Sequence, residues 1–443
     1  MKKTNYIINE LIDQYTIEDG NRPWIIGFSG GKDSTVMLML VWLSLLKVKN
    51  EIDEKYLRRE VWVVCNDTLV ENPVVTNYVN NVLRKIEISA IKHNLPVKVK
   101  QTIPRLEDSF WLNMIGKGYP APNNAFRWCT ERLKIKPTAR FVEEITKGDK
   151  KQEAIILVGT RKTESTTRAK SIKKHEIKGK RLTKHPLQKS VFVYSPIKEL
   201  KLEEIWYIIN TFKSPWGADN KELFDMYADA SADDYECPTM VSNKEHKSCG
   251  QSRFGCWTCT VVKKDKSISA QIDNGKTWLT PLRDLRNWIQ EERNNPKNRS
   301  DYRRNGTLAA IPKGGYVLLK HRAEILEKIF EAQKEINDKG IEIELITNQE
   351  LIAIQVTWYR DLFFDYKVSD IYNKVFNKNL DMKQHNDLIR KEEQILLSAC
   401  EEDKKQFNLI QDLLKLEKAK TIMMKRRGLI DDIERRYKQF ITA

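Results

Sequence analysis

With 443 residues, 40% of them hydrophobic, the chain has enough core-forming sequence for two or three domains, which excludes a disordered polypeptide. Its net charge of +16 points to a polyanionic partner, and its longest apolar run, residues 36–46, falls short of the ~20 residues that a membrane span needs. The N-terminal MKKTNYIINELIDQY has two lysines but no apolar signal core or small-residue cleavage site, so a cytoplasmic location with no membrane partner is expected; there, seven cysteines point to metal or redox chemistry rather than to a disulfide framework.

In chain order, a helix is expected over residues 6–15, then a polar link through Asp19 and Gly20 that stops at Pro23. Strand patterns recur at residues 24–28, 61–65, 97–101, 154–158 and 191–194, with helical patterns between them. This alternation predicts an α/β fold with a doubly wound, mostly parallel sheet whose ligands sit beyond the carboxyl ends of the strands. Three stretches fall on that rim: 29–35 after the first strand, 66–73 after the second and 159–165 after the fourth.

The first of these is the centre of the chain. In WIIGFSGGKDST the apolar run Trp24-Ile25-Ile26 stops at a turn and becomes a helix that is apolar on nearly every face. Gly30 and Gly31 let the backbone take positive φ and approach a ligand, and the free amides at the helix start favour an anion. Ser29 and Ser34 add hydroxyls and Lys32 a point charge. A Walker A loop is excluded, because Lys32 is followed by Asp33 and no glycine stands five residues before Gly31. The spelling Ser29-Gly30-Gly31-Lys32-Asp33-Ser34, followed by Thr35, instead resembles the pyrophosphate-binding PP-loop of the ATP pyrophosphatases. That likeness implies an adenine nucleotide alpha hydrolase-like sheet that cleaves ATP between its α and β phosphates with Mg²⁺.

Further on come an Asp67-Thr68 pair after the second strand, the segment Arg127-Trp128-Cys129-Thr130-Glu131-Arg132-Leu133-Lys134 ending at Pro137, and the turn Gly159-Thr160-Arg161-Lys162-Thr163-Glu164-Ser165. Together with the PP-loop they resemble the 3'-phosphoadenylylsulfate reductase family over about the first 200 residues. The resemblance implies that Asp67, Gly159, Arg161, Glu164 and Ser165 join the loop in holding an adenine nucleotide. The E-C-G-L-H-like catalytic segment of those reductases has no counterpart around Cys400, which argues against direct sulfate reduction. Residues 161–189 are densely basic, with Lys173, Lys174, Lys180 and Arg181 among eleven cations against Glu164 and Glu176. They read either as a solvated flexible loop or as a nucleic-acid contact governed by phosphate neutralisation.

Residues 237–259 place Cys237, Cys249, Cys256 and Cys259 at spacings C-x11-C-x6-C-x2-C, a pattern that fits one four-thiolate centre. His246 is a spare donor. Ligand type alone leaves structural Zn²⁺ and a [4Fe-4S] cluster open. A PP-loop joined to RFGCWTCTVV and DKS (residues 253–262 and 265–267), IDNG (272–275) and RNG (304–306) resembles the DndC-type sulfurtransferases of DNA phosphorothioation, with the related single-strand SspD type sharing the architecture. That resemblance tips the cofactor toward [4Fe-4S]. It implies DNA as substrate, a cysteine desulfurase as sulfur donor and other Dnd or Ssp proteins as partners.

Cys129 is the candidate sulfur carrier, since Arg127, Arg132 and Lys134 are close enough in sequence to lower its thiol pKa. The other reading is a buried family residue beside the cluster. Lys32, Asp33, Asp67 and Arg161 complete the expected catalytic group, while Cys65, at the end of a strand, reads as core. The competing classes are a sulfonucleotide reductase, a tRNA-thiolating enzyme and a non-enzymatic, zinc-stabilised DNA-binding subunit. The chain divides into a PP-loop domain (1–215), a cysteine-rich region (216–315) and a helical C-terminal region (316–443). In the last, helices are expected at 323–337, stopping near Gly340, at 351–364 behind a Thr347/Glu350 capping box, and at 386–416 and 420–440. Cys400, Trp358 and Phe363 are read there as packing residues.

Overall fold

A computed structural model describes residues 2–16, 21–146, 153–177, 179–185, 190–230, 255–304, 306–361, 363, 365–380, 394–400, 403, 405–410, 413, 414, 433 and 437. The chain forms two compact units, Met1–Phe110 with Pro122–Arg286, and Trp111–Ala121 with Asn287–Ala443.

The first unit is built on a six-stranded sheet in the order β3-β2-β1-β4-β6-β5. The strands are β1 (Trp24–Gly27), β2 (Val61–Asn66), β3 (Val97–Thr102), β4 (Ala154–Leu157), β5 (Leu182–Lys184) and β6 (Val191–Tyr194). All neighbours are parallel except β5 and β6, and β1 is flanked on both sides, Ile25 facing Trp62 of β2 and Ile156 of β4. Five strands lie where the apolar runs predict them. The sixth, Leu-Thr-Lys, falls inside the basic stretch expected to be loop or contact surface. Its three residues carry no apolar run to announce it, and a short lysine-bearing strand is what an exposed sheet edge calls for. At the opposite edge Lys98 and Lys100 alternate with Val97 and Val99, so β3 is guarded in the same way.

Helices cover both faces. The helix that follows β1, α2 (Lys32–Lys47, numbered after α1, Lys2–Thr16), is buried continuously from Ser34 to Trp42, which explains its lack of a polar side. It shares one core with Trp24 and Ile26 of the sheet, Leu11 of α1, and Ile205 and Ile208 beyond β6. On the far face Ile25, Val64 and Val191 pack with Phe141 and Val142, and the Trp62 and Phe141 rings meet edge to face with centroids 5.3 Å apart. A third helix, α3 (Pro73–Lys92), starts with proline at its first position and the Asn72 side chain accepting from Val74 N–H at 3.0 Å, and a fourth, α4 (Lys136–Thr146), carries Phe141 and Val142.

The second unit is helical. Residues 319–338, 348–360 and 368–376 form its main helices. The expected capping box is present, with Glu350 N–H donating to Thr347 Oγ1 and Thr347 N–H to Glu350 Oε2, each at 3.2 Å. Trp358 is fully buried and donates its indole N–H to Ile115 O at 2.9 Å. Arg322 is also buried, donating to Val317 O and Gly116 O at 2.6 and 2.9 Å; burial draws its pKa down to about 10. Phe363 presents its ring to that guanidinium at 5.2 Å, and Cys400 is buried as an apolar packing group. Of the last two expected helices, residues 394–399 and 405–410 are helical and most of the remainder lies outside the described residues.

Because α2 touches helix and sheet on all sides, trimming it opens a cavity that cannot collapse. Leu38→Ala should cost the first unit about 2–5 kcal/mol, measured as a lower urea midpoint by tryptophan fluorescence.

Candidate nucleotide and thiol site

The strand order reverses at β1: the chain leaves it for β2 and β3 on one side and then for β4 on the other. The crevice at such a switch point, beyond the strand ends, is where open α/β sheets bind ligands. The PP-loop fills one lip of it. Gly30 sits at φ +74°, and a Cβ there would come 2.4 Å from Val79 Cγ2, so only glycine fits. The Ser34 hydroxyl donates to Gly31 O at 3.0 Å and accepts from Ser29 N–H at 3.3 Å, which closes the loop on itself. Gly31 leads into α2 in extended conformation without a side-chain cap, and Thr35 N–H returns to Gly31 O at 2.9 Å.

The other lip is the turn after β4. Arg161 is 3% exposed and pairs through Nε with Asp33 at the start of α2. Its Nη1 donates to Thr163 Oγ1, which in turn donates to Leu200 O. Gly159 lets this turn lie against the helix start, since a Cβ would stand 3.1 Å from the Asp33 carbonyl. Glu164 pairs with Arg168 at 3.1 Å and Ser165 caps the following helix, α5 (Thr166–His175), so both residues shape the turn. Asp67 begins an Asx turn after β2, accepting from Leu69 N–H at 2.8 Å.

One residue at the loop had no sequence signal. Tyr227, from the helix Asn220–Ala230, accepts a hydrogen bond from Lys32 N–H at 3.2 Å. Lys32 Nζ lies 4.8 Å from the centre of the same ring and 3.6 Å from Asp33 Oδ2. The phenol therefore occupies an amide that a phosphate oxygen would use. Nothing in FDMYADA distinguishes this tyrosine from a helix packing residue, and it stands 195 positions from its partner.

The cysteine turn is attached to the neighbouring strand end. Glu71 and Cys256 form an antiparallel bridge, Trp257 N–H donates to Val70 O at 3.1 Å, and Thr68 Oγ1 lies 3.3 Å from Cys256 Sγ. Cys259 N–H closes the turn onto Cys256 O at 3.1 Å. The buried Arg286 holds it from behind, donating to the carbonyls of Cys259 and Lys263 at 2.9 and 3.2 Å and to that of Val262. Lys134, in the π-helical segment Thr130–Ile135, reaches to within 3.7 Å of Glu71. Burial alone would depress this lysine, but Cys256, Glu71, Cys129 and Cys65 hold its pKa above the ordinary value. Burial pushes the Cys256 thiol up to about 11 against the pull of Lys134.

Cys129 corrects the expectation from sequence. Its thiol pKa is raised, by burial first and then by Cys259 nearby. Arg127 donates instead to Asn124 Oδ1 at 2.7 Å and Arg132 pairs with Asp108, so neither arginine activates the thiol. Cys65 is core, and burial lifts it to about 12. Cys237, Cys249 and His246 lie outside the described residues. Among the described residues no group of three or more His, Cys, Asp or Glu side chains is arranged to hold a metal. Cys256 and Cys259 supply two soft donors on one tight turn, which fits half of a four-thiolate centre.

The basic stretch is not a plain loop: it builds α5 and β5. Arg161, Lys162, Arg168 and Arg181 are committed to ion pairs, whereas Lys170, Lys173, Lys174, Lys180 and Lys184 are exposed and make none among the described residues. At the PP-loop itself, removing the competing phenol should free an amide. Tyr227→Phe is expected to tighten ATP binding severalfold in calorimetry with an unchanged circular dichroism spectrum; unchanged affinity would mean that the hydroxyl does not compete.

The profile of the phosphoadenosine phosphosulfate reductase domain matches residues 23–262, more than half of the chain. An uncharacterized protein of Methanocaldococcus jannaschii is 27% identical over 232 residues, 52% of this chain and 39% of that one, so the chain spans about two fifths of that relative's length. Among solved structures, the phosphoadenylyl-sulfate reductase of Candida auris in a phosphate complex aligns at 13% identity and TM-score 0.30, covering 46% of this chain and 78% of its own. The FMN adenylyltransferase of Candida glabrata with FAD and inorganic pyrophosphate aligns at 13% identity and TM-score 0.30, covering 48% and 58%. With its six-stranded sheet and the extent of the profile match, the chain belongs to the phosphoadenosine phosphosulfate reductase domain family.

Proposed function

We propose that the protein is an ATP-dependent sulfurtransferase of the DndC type, which adenylates a DNA backbone phosphate and replaces one of its oxygens by sulfur. The observation that carries this reading is the attachment of the Cys256–Cys259 turn to the loop that follows β2, the strand beside the PP-loop's β1, with Cys129 near Cys259. A nucleotide site alone would suit many reactions. Thiols on the adjoining strand end suit transfer of sulfur.

In this reading a non-bridging DNA phosphate oxygen attacks the α-phosphorus of ATP, the bond to the β-phosphate breaks, and pyrophosphate leaves with the electron pair. The PP-loop amides and Lys32 hold the leaving group, while Arg161 keeps Asp33 and the helix start in place. Mg²⁺ would ride on the phosphates, with Asp67 as the rim carboxylate to meet it. The terminal sulfur of a Cys129 persulfide, loaded by a cysteine desulfurase, then attacks the DNA phosphorus and displaces AMP. An external thiol cleaves the remaining S–S bond, leaving sulfur on the phosphate and Cys129 in a mixed disulfide. Cys237, Cys249, Cys256 and Cys259 would hold a [4Fe-4S] cluster, which would supply a sulfide-binding or electron-transfer centre. The family match also favours a second reading, a sulfonucleotide reductase that releases sulfite.

The deciding measurement is ATP cleavage with and without DNA, with ³⁵S supplied from cysteine through a desulfurase. AMP and pyrophosphate stimulated by DNA, together with label in the DNA, are expected; no AMP or label here, with thioredoxin-dependent sulfite release when phosphoadenylylsulfate is supplied instead, would replace this reading with the reductase. Cys129→Ser should abolish labelling while sparing ATP cleavage. Anaerobic preparations should contain about four iron and four sulfide per chain, whereas stoichiometric zinc would assign the thiolates a structural role.

A further inference from the structure

We infer that the cavity between α5 and the β4-β6-β5 side of the sheet is a second nucleotide site, separate from the PP-loop. It measures about 310 Å³, within the range of small-molecule sites. Its walls divide by chemistry. Ile156 of β4, Val158 just beyond it, Val193 on β6 and Ile172 on α5 give an aliphatic slot of the kind that accepts the flat face of a base. Lys180 and Lys184 stand at the rim, exposed and without ion pairs among the described residues.

The other charged groups of the lining are paired: Glu176 with Lys198 and Lys162, the latter also with Glu199, and Arg181 with Glu10 and Asp13. His175 and His185 complete the polar wall. What is left for a ligand is the two ammonium groups without ion pairs among the described residues, an apolar floor, and the hydroxyl-bearing side chains of Thr160 and Ser195. A compact ammonium pair matches a phosphate, and an aliphatic slot matches a base. An aliphatic acid would leave one ammonium unanswered.

The two sites share one turn. Thr160 lines this cavity, and the next residue, Arg161, reaches the PP-loop through Asp33. The ligand's chemistry has two possible sources, a free mononucleotide or one nucleotide of a nucleic-acid strand; only the strand source rests on the DNA-directed function proposed above.

The test uses the full chain and two double variants of equal charge change. One is Lys180→Glu with Lys184→Glu at the rim. The other is Lys170→Glu with Lys173→Glu, on the same basic stretch but outside the cavity. Equilibrium dialysis with radiolabelled AMP counts sites, and anisotropy with a fluorescein-labelled 12-nucleotide oligothymidylate measures strand binding. Loss of one of two AMP equivalents in the rim variant alone would assign a free nucleotide. At least tenfold weaker strand binding in the rim variant, against less than threefold in the control pair, would assign a strand nucleotide. Equal effects of the two pairs on both probes, or no effect of either, would overturn the site. ATP cleavage without DNA should be unchanged in the rim variant, so failure here is distinguishable from failure of the sulfurtransferase reading.

Discussion

The ion pair between Arg161 and Asp33 joins the two lips of the switch-point crevice. One partner follows β4 and the other opens α2, so the pair fixes the turn against the helix whose amides face the ligand. The arginine is almost wholly buried, and a guanidinium left there without its carboxylate would be destabilising by about 3–5 kcal/mol. Gly159 makes the pair possible by letting the two backbones approach, and the Thr163–Leu200 hydrogen bond ties the same turn to the chain beyond β6. Geometry at the nucleotide site is thus set by strand connectivity first and by side chains second.

A second constraint acts at the end of β2. The Cys256 segment runs antiparallel to the loop that carries Thr68 and Glu71, and Arg286 satisfies its outward carbonyls. Backbone hydrogen bonds fix the Cys256–Cys259 turn to the loop that follows β2. Lys134 then sits among acidic and thiol groups as their counter-charge, which places a permanent cation where thiolates would form.

Much of this was legible from the residues. Apolar runs located the five longer strands, and the spelling of Ser29 to Ser34 distinguished a PP-loop from a Walker loop. What stayed hidden was direction and distance. Arg127 and Arg132 flank Cys129 in sequence, yet their guanidinium groups turn to Asn124 and Asp108, because chain proximity does not fix the direction a side chain takes. The strand Leu182–Lys184 was too short and too basic to leave a periodic signal. Tyr227 reached its place through tertiary packing alone.

That tyrosine gives nucleotide capture a built-in waiting time. If a phosphate oxygen must inherit the amide that the phenol holds, raising the ATP concentration accelerates capture only until departure of the phenol becomes the slow event; beyond that point the rate belongs to the helix and not to the nucleotide.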